Sequence, residues 1–254
     1  MRGTGAWAYL KYYKKRFFPS KSQREEEELF PGRLSFYKDF IKTGSLCFDV
    51  GANIGNRTEV FLALKARVVA IEPQRDCARL LKLRFGNRIS LEEMALGETE
   101  GQGLLYVSET SEISSLSSDW IDSVSKSRFK GKTWEKGRQV RLGTLDKIIK
   151  KYGVPDFCKI DVEGYEVEVL KGLSYPIPVI SFEYTIPEKL DNISECLVQL
   201  RKIGRFECNY TIGENTKLEL VAWISEGELM DHINKLATNM VFGDVYVKFD
   251  GTNR

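Results

Sequence analysis

Five carboxylates stand where apolar, strand-like runs give out: Asp49, Glu72, Asp161, Glu163 and Glu183. Acids so placed can accept hydrogen bonds from hydroxyls, pair with a cationic ligand, take a proton from a reacting group, or hold a hard cation. Taken singly, each also has an ordinary structural use as a helix cap or first-turn acid, Glu163 above all. Their joint arrangement is what makes a candidate site. Ligands of an open parallel sheet sit at the carboxyl ends of its strands. If residues 47–50, 68–71, 155–160 and 179–182 are strands of one such sheet, all five acids face one rim.

The element that would anchor this rim is Cys47-Phe-Asp-Val-Gly-Ala-Asn-Ile-Gly55. It reads as a short buried strand followed by two glycines, Gly51 and Gly55. From Thr58 the pattern is helical, with Val60, Phe61 and Leu64 on one side. A strand entering a glycine turn that opens a helix is the nucleotide-binding corner of a doubly wound α/β sheet. Glycines there let backbone approach a ligand where a side chain would collide. Glu72 closes the next apolar run, where a carboxylate can accept from both ribose hydroxyls of a nucleoside.

The corner departs from the dinucleotide fingerprint, because Asn53 stands where a second glycine is required. No Gly-Lys-Ser/Thr is present to cradle phosphate. Asp49 would repel a pyrophosphate but could accept from an ammonium group. The ligand so defined has a nucleoside, a cationic or zwitterionic tail and no phosphate. S-adenosylmethionine meets that description.

Strands alternating with helices along the rest of the chain predict a mostly parallel sheet. Helices are expected over 77–85, 144–152, 163–173, 190–203 and 226–236. Further strands are expected at 88–91, 104–108, 206–211, 218–224 and 244–249, the late ones free to add antiparallel. The reading divides the chain into an extension, 1–40, and a catalytic domain, 41–254, interrupted by an insert, 109–138. Residues 1–20 hold Arg2, Lys11, Lys14, Lys15 and Arg16, six aromatics and no acids. Residues 1–18 could form a helix touching an anionic membrane surface, pack on the domain, or remain without structure. Pro19 should end such a helix. Residues 25–28 read as a solvated acidic helix face, and 35–42 as a helix feeding the first strand. The insert is rich in Ser and Lys and reads as a lid or a flexible segment. Its Lys126, Arg128, Lys130, Lys132 and Lys136 either face an acidic substrate or are solvated.

Composition excludes several classes. Charge is plentiful but balanced at +2, with no dominant basic face, so no nucleic-acid partner is expected. Five scattered cysteines without zinc spacing read as buried free thiols of a reducing, cytoplasmic compartment. No run is apolar enough to span a membrane, and no signal peptide is visible. Asn-x-Ser/Thr triplets occur at Asn56, Asn192 and Asn209, but Asn56 lies inside the ligand loop, which discounts glycosylation. The single histidine, His232, reads as a surface residue.

A set of motifs stands in one order: Phe48-Asp-Val-Gly-Ala-Asn-Ile-Gly55, Ile71-Glu-Pro73, Ala95-Leu-Gly97, Thr144-Leu-Asp146, Lys159-Ile-Asp-Val-Glu-Gly164 and Glu168-Val-Leu-Lys-Gly172. Over residues 46–183 this resembles the FkbM family of S-adenosylmethionine-dependent methyltransferases. Residues before about 40 and the insert are not covered. The resemblance implies a Rossmann-like class I fold: a seven-stranded, mostly parallel sheet with helices on both faces. It implies O-methylation of a hydroxyl on a sugar or natural product, hence a small-molecule or glycan acceptor. It also implies that Asp49, Gly51, Asn53 and Gly55 line the methionine side of the cofactor, that Glu72 holds the ribose, and that Met94 and Ala95 contact adenine. Asp161 falls near the transferred methyl.

A hydroxyl is a poor nucleophile until its proton leaves, so a base or a metal is required. Asp161, Glu163 and Glu183 are the catalytic candidates, as bases or as ligands of one Mg²⁺. Two other readings compete: an N-methyltransferase, and a non-catalytic S-adenosylmethionine-binding protein. Asp161-Val-Glu-Gly164 occupies the place where many amino-group methyltransferases of nucleic acid carry Asn/Asp-Pro-Pro-aromatic, which counts against the first.

Overall fold

The computed structural model describes residues 21–108 and 111–251. The basic aromatic segment, with Pro19, lies outside the described residues. The described residues form ten strands. They are β1 (Leu46–Val50), β2 (Arg67–Ile71), β3 (Ile89–Glu92), β4 (Ala95–Leu96), β5 (Gly101–Ser108), β6 (Trp134–Gly143), β7 (Phe157–Ile160), β8 (Val179–Ile186), β9 (Phe206–Tyr210) and β10 (Val241–Phe249). Between them lie helices α1 (Lys21–Tyr37), α2 (Asn56–Ala63), α3 (Arg75–Phe85), α4 (Ser118–Val124), α5 (Leu145–Tyr152), α6 (Glu166–Lys171), α7 (Leu190–Arg201) and α8 (Glu226–Leu236).

Seven strands make one sheet in the order β3-β2-β1-β7-β8-β10-β9. Its first five strands are parallel, and β10 is antiparallel to both its neighbours. Strand order reverses at β1, so the β1–β7 boundary is the switch point where such sheets bind ligands. All five residues of β1 and all four of β7 are buried, as strands covered on both faces must be. Phe48, Val50, Cys158 and Ile160 face a core completed by α5, α6, α7 and α8. Cys47, Phe157 and Tyr246 face the opposite layer, where Tyr37, Val60 and Phe61 of α1 and α2 meet them.

The described part of the 1–40 extension is built into this second layer. Tyr37 meets Phe61 and Phe157 with ring centroids 5.1 and 5.6 Å apart, and Phe36 meets Tyr246 at 5.4 Å. Such edge-to-face pairs contribute about 0.5–1.5 kcal/mol each beyond their burial. One helix runs through Pro31 instead of separate acidic and apolar segments. Its acidic run is not all solvated, because Glu26 pairs with Arg33 two turns along the same face.

Other differences have clear physical causes. The helix expected from residue 163 begins only at Glu166, because Glu163 and Gly164 both take positive φ. Glu183 does not end its strand, since β10 carries the pairing past the end of β7 to Ile186. Residues 218–224 form no strand. The Asn209 side chain takes the place of a ladder there, its amide donating to the Leu220 carbonyl and its Oδ1 accepting from Leu220 N–H. Asn209 is fully buried. The insert is ordered where described. β6 pairs antiparallel with β5 and parallel with β4, making a second, three-stranded sheet. Ile113, Trp120 and Val124 form a small core of their own there, with Phe129 and Trp134 against it. All five cysteines are free and buried. Among the described residues no helix is long and apolar enough to cross a membrane.

Candidate active site

A cleft of about 320 Å³ opens at the carboxyl ends of β1, β2 and β7 and beside Glu183 of β8. Its floor is the glycine turn after β1. Gly51 has φ +80°, and a Cβ there would lie 1.8 Å from the Asp161 carbonyl oxygen. A Cβ on Gly55 would meet Phe85 and Leu81 of α3. These glycines therefore serve close packing of neighbouring chain, in addition to whatever approach they allow a ligand. Asn53, also at positive φ, lines the cleft beside Gly51.

Glu72 is held at the end of β2 with 2 % exposure. One carboxylate oxygen accepts from Asn53 N–H at 2.8 Å and the other from Gln74 N–H at 2.7 Å. Each oxygen keeps a lone pair for the cleft. Burial pushes its pKa up to about 7, against the pull of those two N–H donors. Met94 and Ala95 line the wall beyond it, with Ile71, Leu96 and Leu105 supplying apolar surface for a flat ring.

Asp49 and Gly55 are placed differently from the expectation: neither is in the cleft wall. Asp49 points to the face covered by α2, where the Thr58 hydroxyl donates to it. Alternation along β1 forces this, since Val50 and Phe48 take the other face. Burial raises the Asp49 pKa, with the Thr58 hydrogen bond opposing.

The other three acids converge. Carboxylate oxygens of Asp161, Glu163 and Glu183 lie within 4.8 Å of one another in the cleft wall. Alternation puts Asp161 and Glu183 on one face of the sheet. Glu163 reaches them because its backbone is left-handed, φ 55°, a conformation costing a non-glycine residue about 1 kcal/mol or more. Burial, then the Asp161 charge, raise the pKa of both Glu163 and Glu183 well above the carboxylate range. Asp161 has a cation instead: Lys159 Nζ lies 3.2 Å from its Oδ2 and 2.7 Å from Asp244 Oδ1.

Several site residues were not singled out by sequence reasoning. Lys159 was visible only as a motif letter, although a lysine inside an apolar run such as Phe157–Ile160 signals a buried ion pair. Glu166 accepts from Val162 and Gly164 N–H and so ties down the Asp161–Gly164 turn. The insert forms the far wall. The Ser111 hydroxyl donates to Asn53 Oδ1 at 3.0 Å, and the Ser115 hydroxyl to the Glu163 carbonyl at 2.6 Å. Trp120 lies against Gly164, where a Cβ would come within 2.4 Å of its ring. Arg128 of the basic run donates to the Ile186 and Val241 carbonyls, which leaves it a structural tie. At the mouth, Glu214 accepts from both Arg33 and Arg57. Thr144-Leu-Asp146 and Gly172 lie in the scaffold, where Asp146 caps Ser174 and its N–H meets the Gly172 carbonyl. His232 sits on α8, against Tyr210.

Residues 49–212 match the family described as the methyltransferase FkbM domain, more than half of the chain. The chain is also 44% identical over 52 residues to ribosomal RNA small subunit methyltransferase A of Anaeromyxobacter dehalogenans (strain 2CP-C). That alignment covers 20% of this chain and 18% of that protein, so the chain spans less than a fifth of the length of this curated relative. Among solved structures it is similar to precorrin-6y C5,15-methyltransferase from Geobacter metallireducens GS-15, with TM-score 0.45 and 11% identity over 88% of each chain. It is likewise similar to a TehB-like SAM-dependent methyltransferase from Corynebacterium glutamicum ATCC 13032 Kitasato, with TM-score 0.42 and 10% identity over 95% of this chain and 98% of that one. The assignment rests on the family match and on the strand order, not on these distant likenesses. The chain belongs to the FkbM-domain methyltransferases, the family whose resemblance implied S-adenosylmethionine as the cofactor.

Proposed function

We propose that the protein methylates a hydroxyl group of a sugar or natural product. The observation that carries this reading is the convergence of Asp161, Glu163 and Glu183 in the cleft wall. The cleft fits the cofactor on its own chemistry. Glu72 offers one outward lone pair per oxygen for a ribose diol, Met94 and Leu96 flank a flat ring, and acids surround a cationic centre. When bound, S-adenosylmethionine supplies an electrophilic sulfonium methyl.

The chain's own residues do the remainder. Glu72 and the glycine turn fix one reactant, and the trio fixes the other, which is mainly a positioning task. Lys159 Nζ, 3.2 Å from Asp161 Oδ2, holds that carboxylate in place, and Asp161 Oδ is the proton acceptor for the substrate hydroxyl. Three carboxylates this close do not all ionise near neutral pH, so a proton resides on Glu163 or Glu183. That protonated group donates to an acceptor oxygen and helps hold the sugar. The cleft is lined by seven acidic side chains and two arginines, which disfavours a phosphate-bearing nucleic acid as acceptor.

Methyl-transfer assays across hydroxyl and amine acceptors test the proposal. Transfer to hydroxyl acceptors is expected, and transfer confined to amines would overturn it. A second reading uses the same trio as ligands of one Mg²⁺, favoured by oxygens near enough to share a hard cation. With Asp161 as base, turnover survives thorough chelation. Its loss, restored by Mg²⁺ alone, would establish the second reading instead.

Glu72→Ala is expected to weaken S-adenosylhomocysteine binding by about 1–3 kcal/mol, the cost of losing a charged hydrogen-bond acceptor. Calorimetric titration giving wild-type affinity would remove Glu72 from the ribose.

A further inference from the structure

Glu72 stands at one corner of a closed ring of hydrogen bonds. Its Oε1 accepts from Gln74 N–H at 2.7 Å, and the Gln74 side-chain amide donates onward to the Ser111 carbonyl at 3.0 Å. The Ser111 hydroxyl donates to Asn53 Oδ1 at 3.0 Å, and Asn53 N–H returns to Glu72 Oε2 at 2.8 Å. Asn53, Glu72 and Gln74 belong to the glycine turn and the exit of β2. The fourth corner, Ser111, comes from the insert, 58 positions from Asn53.

Asn53 needs that outside hold. Its φ of 47° is left-handed, which a residue with a side chain keeps where its surroundings over-determine it. Its Oδ1 has two donors, the Ser111 hydroxyl and the Cys77 thiol at 3.4 Å, and the thiol is the weaker. Ser111 is itself fixed from behind. It opens a short 3-10 turn, Ser111–Ile113, in which Ile113 is buried in the insert's own core and its carbonyl accepts from the Trp134 indole N–H at 2.7 Å. The Ser114 hydroxyl donates to Gln74 Oε1 at 3.3 Å, so the insert holds both ends of that amide. Ser111 and Ser114 also line the cleft beside Glu72.

We propose that Ser111 is a positioning residue for cofactor binding: by closing the ring it holds the Asn53 and Gln74 N–H groups on Glu72, and so aims both carboxylate oxygens at the ribose diol. This role rests on the S-adenosylmethionine reading of the cleft, and it gives the insert a share in cofactor binding.

Calorimetric titration of the full chain with S-adenosylhomocysteine tests the role, with thermal melting as the control for folding. Ser111→Ala should weaken binding about three- to tenfold, the scale of one hydrogen bond, at an unchanged melting temperature. Ser111→Thr keeps the hydroxyl and should bind as wild type does. In a Glu72→Ala background, Ser111→Ala should cost nothing further, because the hydroxyl acts through Glu72. Wild-type affinity in Ser111→Ala, a Ser111→Thr variant as weak as Ser111→Ala, or the same loss with and without Glu72 would each overturn the proposal. Failure of the wild type to bind would overturn the cofactor reading instead. Where Glu72→Ala binds too weakly to titrate, the comparison of Ser111→Ala with Ser111→Thr decides.

Discussion

Asp161→Asn binds S-adenosylhomocysteine with nearly wild-type affinity and turns over on the order of 10²–10⁴-fold more slowly, the range expected for loss of a general base. The substitution keeps size and removes the proton acceptor. The scaffold should tolerate it, because buried Lys159 retains Asp244 at 2.7 Å. Crowding inside the trio falls as well, which relieves Glu163 and Glu183. Cofactor affinity, read by calorimetry, serves as the control for folding, and single-turnover transfer reads the chemistry. Turnover within about threefold of wild type would show that the proton goes elsewhere.

Among the described glycines, Gly51→Ala is expected to be the most damaging substitution. The new Cβ would stand 1.8 Å from the Asp161 carbonyl oxygen, 2.8 Å from its carbon and 3.4 Å from Val162 Cγ1. The obstacle is backbone of the neighbouring strand exit, which cannot rotate away. The left-handed φ of +80° adds strain of about 1–2 kcal/mol. Overpacking of this kind costs about 1–3 kcal/mol more. Together these lower the melting temperature by roughly 5–15 °C for a domain of this size. Any relief must push Asp161 away from Lys159, so residual folded protein should also lose turnover. A variant melting within about 1 °C of wild type would mean that β1 and β7 do not approach as described.

Much of this site was legible because its signals are local. The glycine turn, the apolar run ending at Glu72 and the strand entering Asp161 each announce themselves within ten residues. Their joint placement follows from the parallel order of the sheet. The physical role of the glycines was less visible, since only the folded chain brings the Asp161 carbonyl to Gly51 and Phe85 to Gly55. Asp49 could be placed at a strand end but not on a face until Thr58 was seen to claim it.

The rest depends on contacts that sequence proximity does not encode. Glu214 and Arg57 are 157 positions apart, and Lys159 meets Asp244 across 85. The insert looked irregular because β6 is charged on its exposed side and carries Gly137 and Gly143. Its order comes from Trp120, seated on Gly164, and from pairing with β5. Glu163 looked like a first-turn acid because the helical pattern runs on through it. Its left-handed backbone breaks that helix and sends the carboxylate into the cleft instead.

A crystal structure grown with S-adenosylhomocysteine tests the central claim most directly. Both ribose hydroxyls should lie within hydrogen-bond distance of Glu72, with the sulfur beside the Asp161, Glu163 and Glu183 carboxylates. An adenosyl group bound outside this cleft, or a ribose turned away from Glu72, would contradict the account.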